Sequence, residues 1–154
     1  MLVRLYALPD SGPALQAAAA QGVVVRRALV PEKPRVLSWV ESRFPSWVPE
    51  VDAALGRQPV GCLLAVRQGE ICGMACHDAL FKGCFGPLGV AQEMQGRGLG
   101  RALLLASLHA LREQGYAYAV IGGVGPAPFY ARTVGAVAIE GSDPGPYAGM
   151  LRSG

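Results

Sequence analysis

The stretch QGRGLGRA, from Gln95 to Ala102, places glycine at 96, 98 and 100 and arginine at 97 and 101. A strand pattern runs into it and a helical pattern leaves it. The first amides of a helix have no intrahelical acceptor, and the helix dipole gathers partial positive charge there, so phosphate oxygens bind well. Glycines let the phosphates approach the backbone, and Arg97 and Arg101 can add charge-assisted bonds. Two familiar phosphate loops fail on the letters. A Walker loop needs Lys and then Ser or Thr after its last glycine, whereas Gly100 is followed by Arg101-Ala102. A dinucleotide fingerprint needs a third glycine where Arg101 stands and a ribose-binding acid in a second parallel strand, and neither is present.

The elements that must hold this loop follow from periodicity and punctuation. LVRLYAL at 2–8 and VVVRRALV at 23–30 read as strands, with an alanine-rich helix at 14–21 between them. Val36, Trp39, Val40 and Phe44 recur at helical spacing over 34–44, and Ser46 has the type and place of an N-cap for a second helix reaching Gly56. Segments 61–67 and 70–80 alternate as strands around Gln68-Gly69, a hairpin turn, and 84–90 is a further strand. Leu103, Leu104, Ser107, Leu108 and Leu111 form one face of a long helix after the loop. Arg101, Leu105, His109 and Arg112 form another. Residues 116–122 then read as a strand, 126–134 as a short helix, and 136–139 with 147–151 as a closing pair of strands.

A chain of 154 residues, 51% apolar, suits one domain with a buried core. Its formal charge of +3 is scattered, with no basic run that would point to nucleic acid or a membrane. Cys62, Cys72, Cys76 and Cys84 show no metal-ligand spacing, so reduced buried thiols and no metal are expected. No signal segment or long apolar run is present, and a soluble cytoplasmic protein is expected.

Gln95, Gly98 and Gly100 fit the pattern Q/R-x-x-G-x-G/A. Together with Leu88-Gly89-Val90 upstream and PFYARTVGA at 128–136 downstream, they make the chain resemble the GNAT superfamily of acyl-CoA-dependent N-acyltransferases over about residues 23–140. Four residues separate Tyr130 from Gly135 where many members have three, and Ala136 stands in place of their phenylalanine. The resemblance implies an α/β (α+β) fold: a mixed, mostly antiparallel central sheet with helices on both faces. Residues 1–154 are then one acyltransferase domain, with 1–21 an added strand and helix and 22–154 the GNAT-like core.

The resemblance also implies acetyl-CoA as co-substrate. Its pyrophosphate would lie on the amides of Gln95, Gly96, Arg97, Gly98, Leu99, Gly100 and Arg101. Its pantetheine arm would pair like an extra strand with Leu88, Gly89 and Val90. A substrate amine would attack the thioester directly, a backbone N–H near Val90 would hold the oxyanion, and Tyr130 matches the family tyrosine that protonates the thiolate. For the base, Asp78 is preferred because its strand parity matches Cys72, Met74 and Cys76; His77, Glu93 and a water-mediated route stay open. Cys84 or Cys76 as an acyl-accepting nucleophile is disfavoured, since no histidine is placed to activate it. The early helices would line the acceptor cleft around Trp39, Phe44, Trp47 and Glu50, with Trp39 more in the core. N-acetyl transfer to a primary amine is the leading expectation. A silent acyl-CoA sensor is the alternative, a protein–protein module is disfavoured, and the acyl group, the amine and a homodimer are left open.

Overall fold

A computed structural model of the chain describes residues 1–151. Its centre is a six-stranded sheet in the order β1-β6-β5-β4-β3-β2. In chain order the strands are β1 (Leu2–Arg4), β2 (Val24–Arg27), β3 (Cys62–Arg67), β4 (Glu70–His77), β5 (Cys84–Val90) and β6 (Tyr118–Ile121). Every neighbouring pair is antiparallel except β5 and β6. The helices are α1 (Gly12–Ala19), α2 (Lys33–Arg43), α3 (Val48–Leu55), α4 (Leu99–Glu113) and α5 (Ala127–Val134). The sheet is therefore the mixed, mostly antiparallel one expected, covered on both faces.

Alternation along the strands sorts the core into two layers. Leu63, Ala65, Ala75 and Phe85 pack with the leucines of α4, while Cys62, Leu64, Met74 and Cys76 pack under α2 and α3. Gln68 and Gly69 both have positive φ, 52° and 77°, as a two-residue hairpin turn of this hand requires. The hairpin register slips once, from Ala65↔Gly73 to Val66↔Ile71, leaving Cys72 as the extra residue of a bulge on β4. Cys72 consequently faces the α4 layer while Met74 and Cys76 face the other, so the parity shared by these three in the sequence reading breaks at the bulge.

Three other readings are corrected. Ser46 makes no capping bond; it lies within a 3-10 turn, Pro45–Trp47, that runs straight into α3. The strand expected over 2–8 stops at Arg4 and tightens into a 3-10 turn, Leu5–Ala7. No closing pair of strands forms at the C-terminal end of the described residues. Residues 136–139 contribute one bridge, Leu2↔Val137, and the Tyr147 region is a 3-10 turn, Gly145–Tyr147. The reason is that β1 already occupies the outer edge of β6, so the later segment finds no free ladder there.

The residues before β2 are thus part of the sheet and the core. Val3 and Leu5 are fully buried, and α1 packs on α4. This cover explains Leu105, which shares a helix face with Arg101 and Arg112 yet is fully buried, and His109, whose Nε2 donates to the Pro9 carbonyl at 2.8 Å. The extra residue after Tyr130 is absorbed by α5, which continues to Val134 and ends at Gly135 with φ 64°. There Gly135 N–H donates to Ala131 and Ala136 N–H to Tyr130, a left-handed helix cap that glycine enters without strain.

Candidate active site

β5 pairs with β4 as far as Val90 but with β6 only at Cys84↔Val120 and Phe85↔Ile121. Past Phe85 the two parallel strands part, and the backbone of 86–90 has no partner on that side. Ala91 N–H reaches back to Cys72 O on β4 at 2.8 Å. Because amide direction alternates along a strand, the N–H and C=O of Val90 face the split. Gln95 Nε2 donates to that carbonyl at 3.3 Å.

The loop after β5 closes one end of the split. Gly96 and Gly98 hold φ of 72° and 81°, conformations that cost a side-chain-bearing residue energy, and Gly98 is the N-cap of α4. The first intrahelical bond runs from Ala102 N–H to Gly98 O at 3.1 Å, so the amides of Leu99, Gly100 and Arg101 precede it, and no side chain caps them. They border a cavity of about 410 Å³ whose walls include Leu88, Val90, Gln95, Gly98, Gly100 and Phe129. A Cβ on Gly100 would stand 3.8 Å from Phe129 and 3.9 Å from Val90, between two walls of that space.

A second cavity, of about 320 Å³, meets the first at Leu88 and Pro126, which line both. Its chemistry comes from three elements. Tyr130, on α5, is 8% exposed and packs edge-on against Phe129 and Phe85, with ring centroids 5.1 and 6.2 Å away. Burial pushes its phenol above the ordinary range. Glu50 stands in the first turn of α3, and burial raises its carboxyl too. Tyr147 enters from the C-terminal 3-10 turn, and its hydroxyl lies where a side chain on Gly122 would begin, 2.5 Å from that Cβ position. Burial, and then the Glu50 carboxylate, push the Tyr147 phenol up.

Trp47 lines this second cavity, stacked on Phe44 at 4.4 Å and 15°. The stack sits on the face of β5. A Cβ on Gly89 would come within 2.7 Å of Phe44 and 2.9 Å of Trp47, so glycine at 89 is demanded by packing. Trp39 touches Phe44 and, half-buried, packs against both core layers outside the lining of either cavity.

Of the residues expected around the cofactor, Leu88, Val90, Gln95, Gly96, Gly98, Leu99, Gly100 and Arg101 line the first cavity. Gly89 instead supports the aromatic stack, and Arg97 is outside the lining, its carbonyl accepting from Gln21 Nε2 at 3.0 Å. Tyr130 lies in the second cavity, and Asp78 lines neither. Asp78 has left the strand, with φ 55°, and its Oδ1 accepts from Gly83 N–H at 2.6 Å; it braces the turn between β4 and β5. His77 is 1% exposed, with Nδ1 3.5 Å from Asp78, and burial holds its pKa below the ordinary value. Glu93 is exposed, 4.0 Å from Arg43. Cys84 lines the second cavity, whereas Cys76 is buried beside Cys62, which together with burial pushes its thiol well up. Tyr147 and Gly122 were not singled out by any sequence signal.

Residues 25–135 match the model of the acetyltransferase (GNAT) family. No curated protein sequence is significantly similar to the chain. Among solved structures, the GCN5-related glucosamine N-acetyltransferase region of a fungal multi-domain GH3 β-N-acetylglucosaminidase aligns over 86% of this chain and 19% of its own, with TM-score 0.71 and 16% identity. A GNAT family acetyltransferase from Brucella melitensis in complex with acetyl-CoA covers 71% of this chain and 80% of its own (TM-score 0.56, 23% identity). An aminoglycoside acetyltransferase from an uncultured soil metagenomic sample, in complex with sisomicin, covers 79% and 92% (TM-score 0.57, 15% identity). The chain spans less than half the length of the first four structures it matches. At these identities the structures show a shared fold, and the family model adds the sequence match across most of that fold. The chain belongs to the GNAT acetyltransferase family.

Proposed function

We propose that this protein transfers an acetyl group from acetyl-CoA to a primary amine by direct attack. The observation that carries this reading is the junction at Leu88 and Pro126. On one side lie uncapped helix amides suited to a pyrophosphate, and on the other a carboxyl group and a buried phenol suited to proton transfer.

The amine arrives as an ammonium, with a reference pKa of about 10.4 for a lysine-like group. In this reading Glu50 removes one proton, directly or through water, taking the role for which Asp78 is badly placed. Nitrogen then bonds to the thioester carbon, and the Val90 N–H, facing the split, donates to the oxyanion. As the carbon–sulfur bond breaks, the nitrogen sheds its second surplus proton to water, and the Tyr130 hydroxyl gives its proton to the thiolate and regains one from solvent. Its raised pKa keeps it protonated and ready to donate at neutral pH.

Thiol release from acetyl-CoA over a panel of amines, alongside calorimetric titration of acetyl-CoA, tests the proposal. Tyr130→Phe is expected to lower kcat by about 10²-fold with the amine KM little changed. A wild-type protein that binds acetyl-CoA but acetylates no amine would instead be an acyl-CoA sensor.

A further inference from the structure

Glu50 is the one charged side chain among the described residues that line the second cavity. None of the described lysines, arginines or histidines is part of its lining. The other side-chain polar groups are the Tyr130 and Tyr147 hydroxyls, the Trp47 ring nitrogen and the Cys84 thiol, and much of the wall is apolar: Leu80, Phe81, Phe85, Pro87 and Ile121. Gly122, Gly123 and Gly125 add backbone to the wall, with the Tyr147 hydroxyl lying over Gly122. The volume of about 320 Å³ is at the small end for a ligand pocket and must also admit a thioester.

From this lining we infer that the acceptor is a small monocationic amine carrying an apolar, preferably aromatic, body: a primary arylalkylamine. The inference rests on the acetyl transfer proposed above and narrows its acceptor. One carboxylate can pair one ammonium, and the Trp47 and tyrosine faces can attract the same charge. A polyamine or an aminoglycoside would bring further cations with no carboxylate to meet them. A free amino acid would bring its own carboxylate into a cavity whose described lining holds no cationic side chain, leaving that group desolvated and unpaired. The apolar walls, by contrast, gain from each ring or methylene they cover.

The test compares acetyl-CoA turnover with 2-phenylethylamine and tryptamine against phenylalanine, spermidine, kanamycin and a lysine-containing peptide, with acetyl-CoA binding measured in parallel. The kcat/KM for 2-phenylethylamine is expected to exceed that for phenylalanine by about 100-fold, the scale of leaving one buried charge unsatisfied. Leu80 is 43% exposed and lines the cavity, so Leu80→Lys supplies the missing cation without disturbing the core. It should narrow that ratio at least about tenfold. Preference for phenylalanine, spermidine, kanamycin or the peptide, or a ratio unmoved by Leu80→Lys, would overturn the inference and leave acetyl transfer standing. Acetyl-CoA binding with no amine turned over would remove both.

Discussion

A carboxylate in the first turn of a helix is normally favoured in its charged form, because the dipole presents positive charge there. Glu50 holds that position in α3, where burial acts the other way and raises its carboxyl above the usual 4.5. A base acts when deprotonated, so kcat/KM should climb with pH through a pKa above 4.5, and Glu50→Gln should abolish that limb and cost about 10²-fold. A limb that survives in the Gln variant would assign the proton to another group. The sequence made part of this site legible. Tyr130 and the glycine loop belong to short local patterns, and Glu50 and Trp47 are placed near the cleft by the family resemblance, in which the early helices line it. Tyr147 cannot be, because its place depends on a bare Cα at Gly122, 25 positions earlier, which no local pattern announces. The strand parity expected of Asp78 does not hold for a related reason: β4 ends at His77, and the φ of Asp78 turns positive.

Among the elements, the loop and first turn of α4 contain two glycines with opposite reasons for being glycine. Gly98 needs its φ of 81° and has no protein atom within 4 Å of a Cβ, so Gly98→Ala should cost about 1 kcal/mol through torsion alone. Gly100 is helical, and Gly100→Ala should stabilise by up to about 1 kcal/mol. Its methyl would stand in ordinary van der Waals contact with Phe129 and Val90, on the wall of the first cavity. Thermal or urea unfolding of the two variants should therefore show shifts of opposite sign. At this scale the long, strongly periodic pieces were readable: α2, the β3–β4 hairpin and α4. Less readable were features set by neighbours, such as the bulge at Cys72 or the outer edge of β6, taken by β1 before residues 136–139 could use it.

For the molecule as a whole, the N-terminal residues decide how completely α4 is enclosed. Leu99, Leu103, Leu104, Leu105, Leu108 and Leu111 are all fully buried, which a helix resting on one sheet face does not achieve without further cover. Leu5 is part of that cover, so Leu5→Ala should destabilise the fold by about 2–5 kcal/mol in chemical denaturation, as for a central core leucine. A loose appendage would give almost no effect. The sheet itself is less uniform than its strand count suggests. The pair β1–β6 and the four strands β2–β5 share a seam of two residue pairs, Cys84↔Val120 and Phe85↔Ile121. A ligand lying along the unpaired stretch beyond Phe85 would bind only the folded state, and by mass action 100 times its Kd adds about 2.7 kcal/mol to unfolding. In hydrogen-exchange terms, the amides facing the split, Val90 foremost, would pass from solvent-labile to protected, so the sheet would gain its full cooperativity from its own substrate.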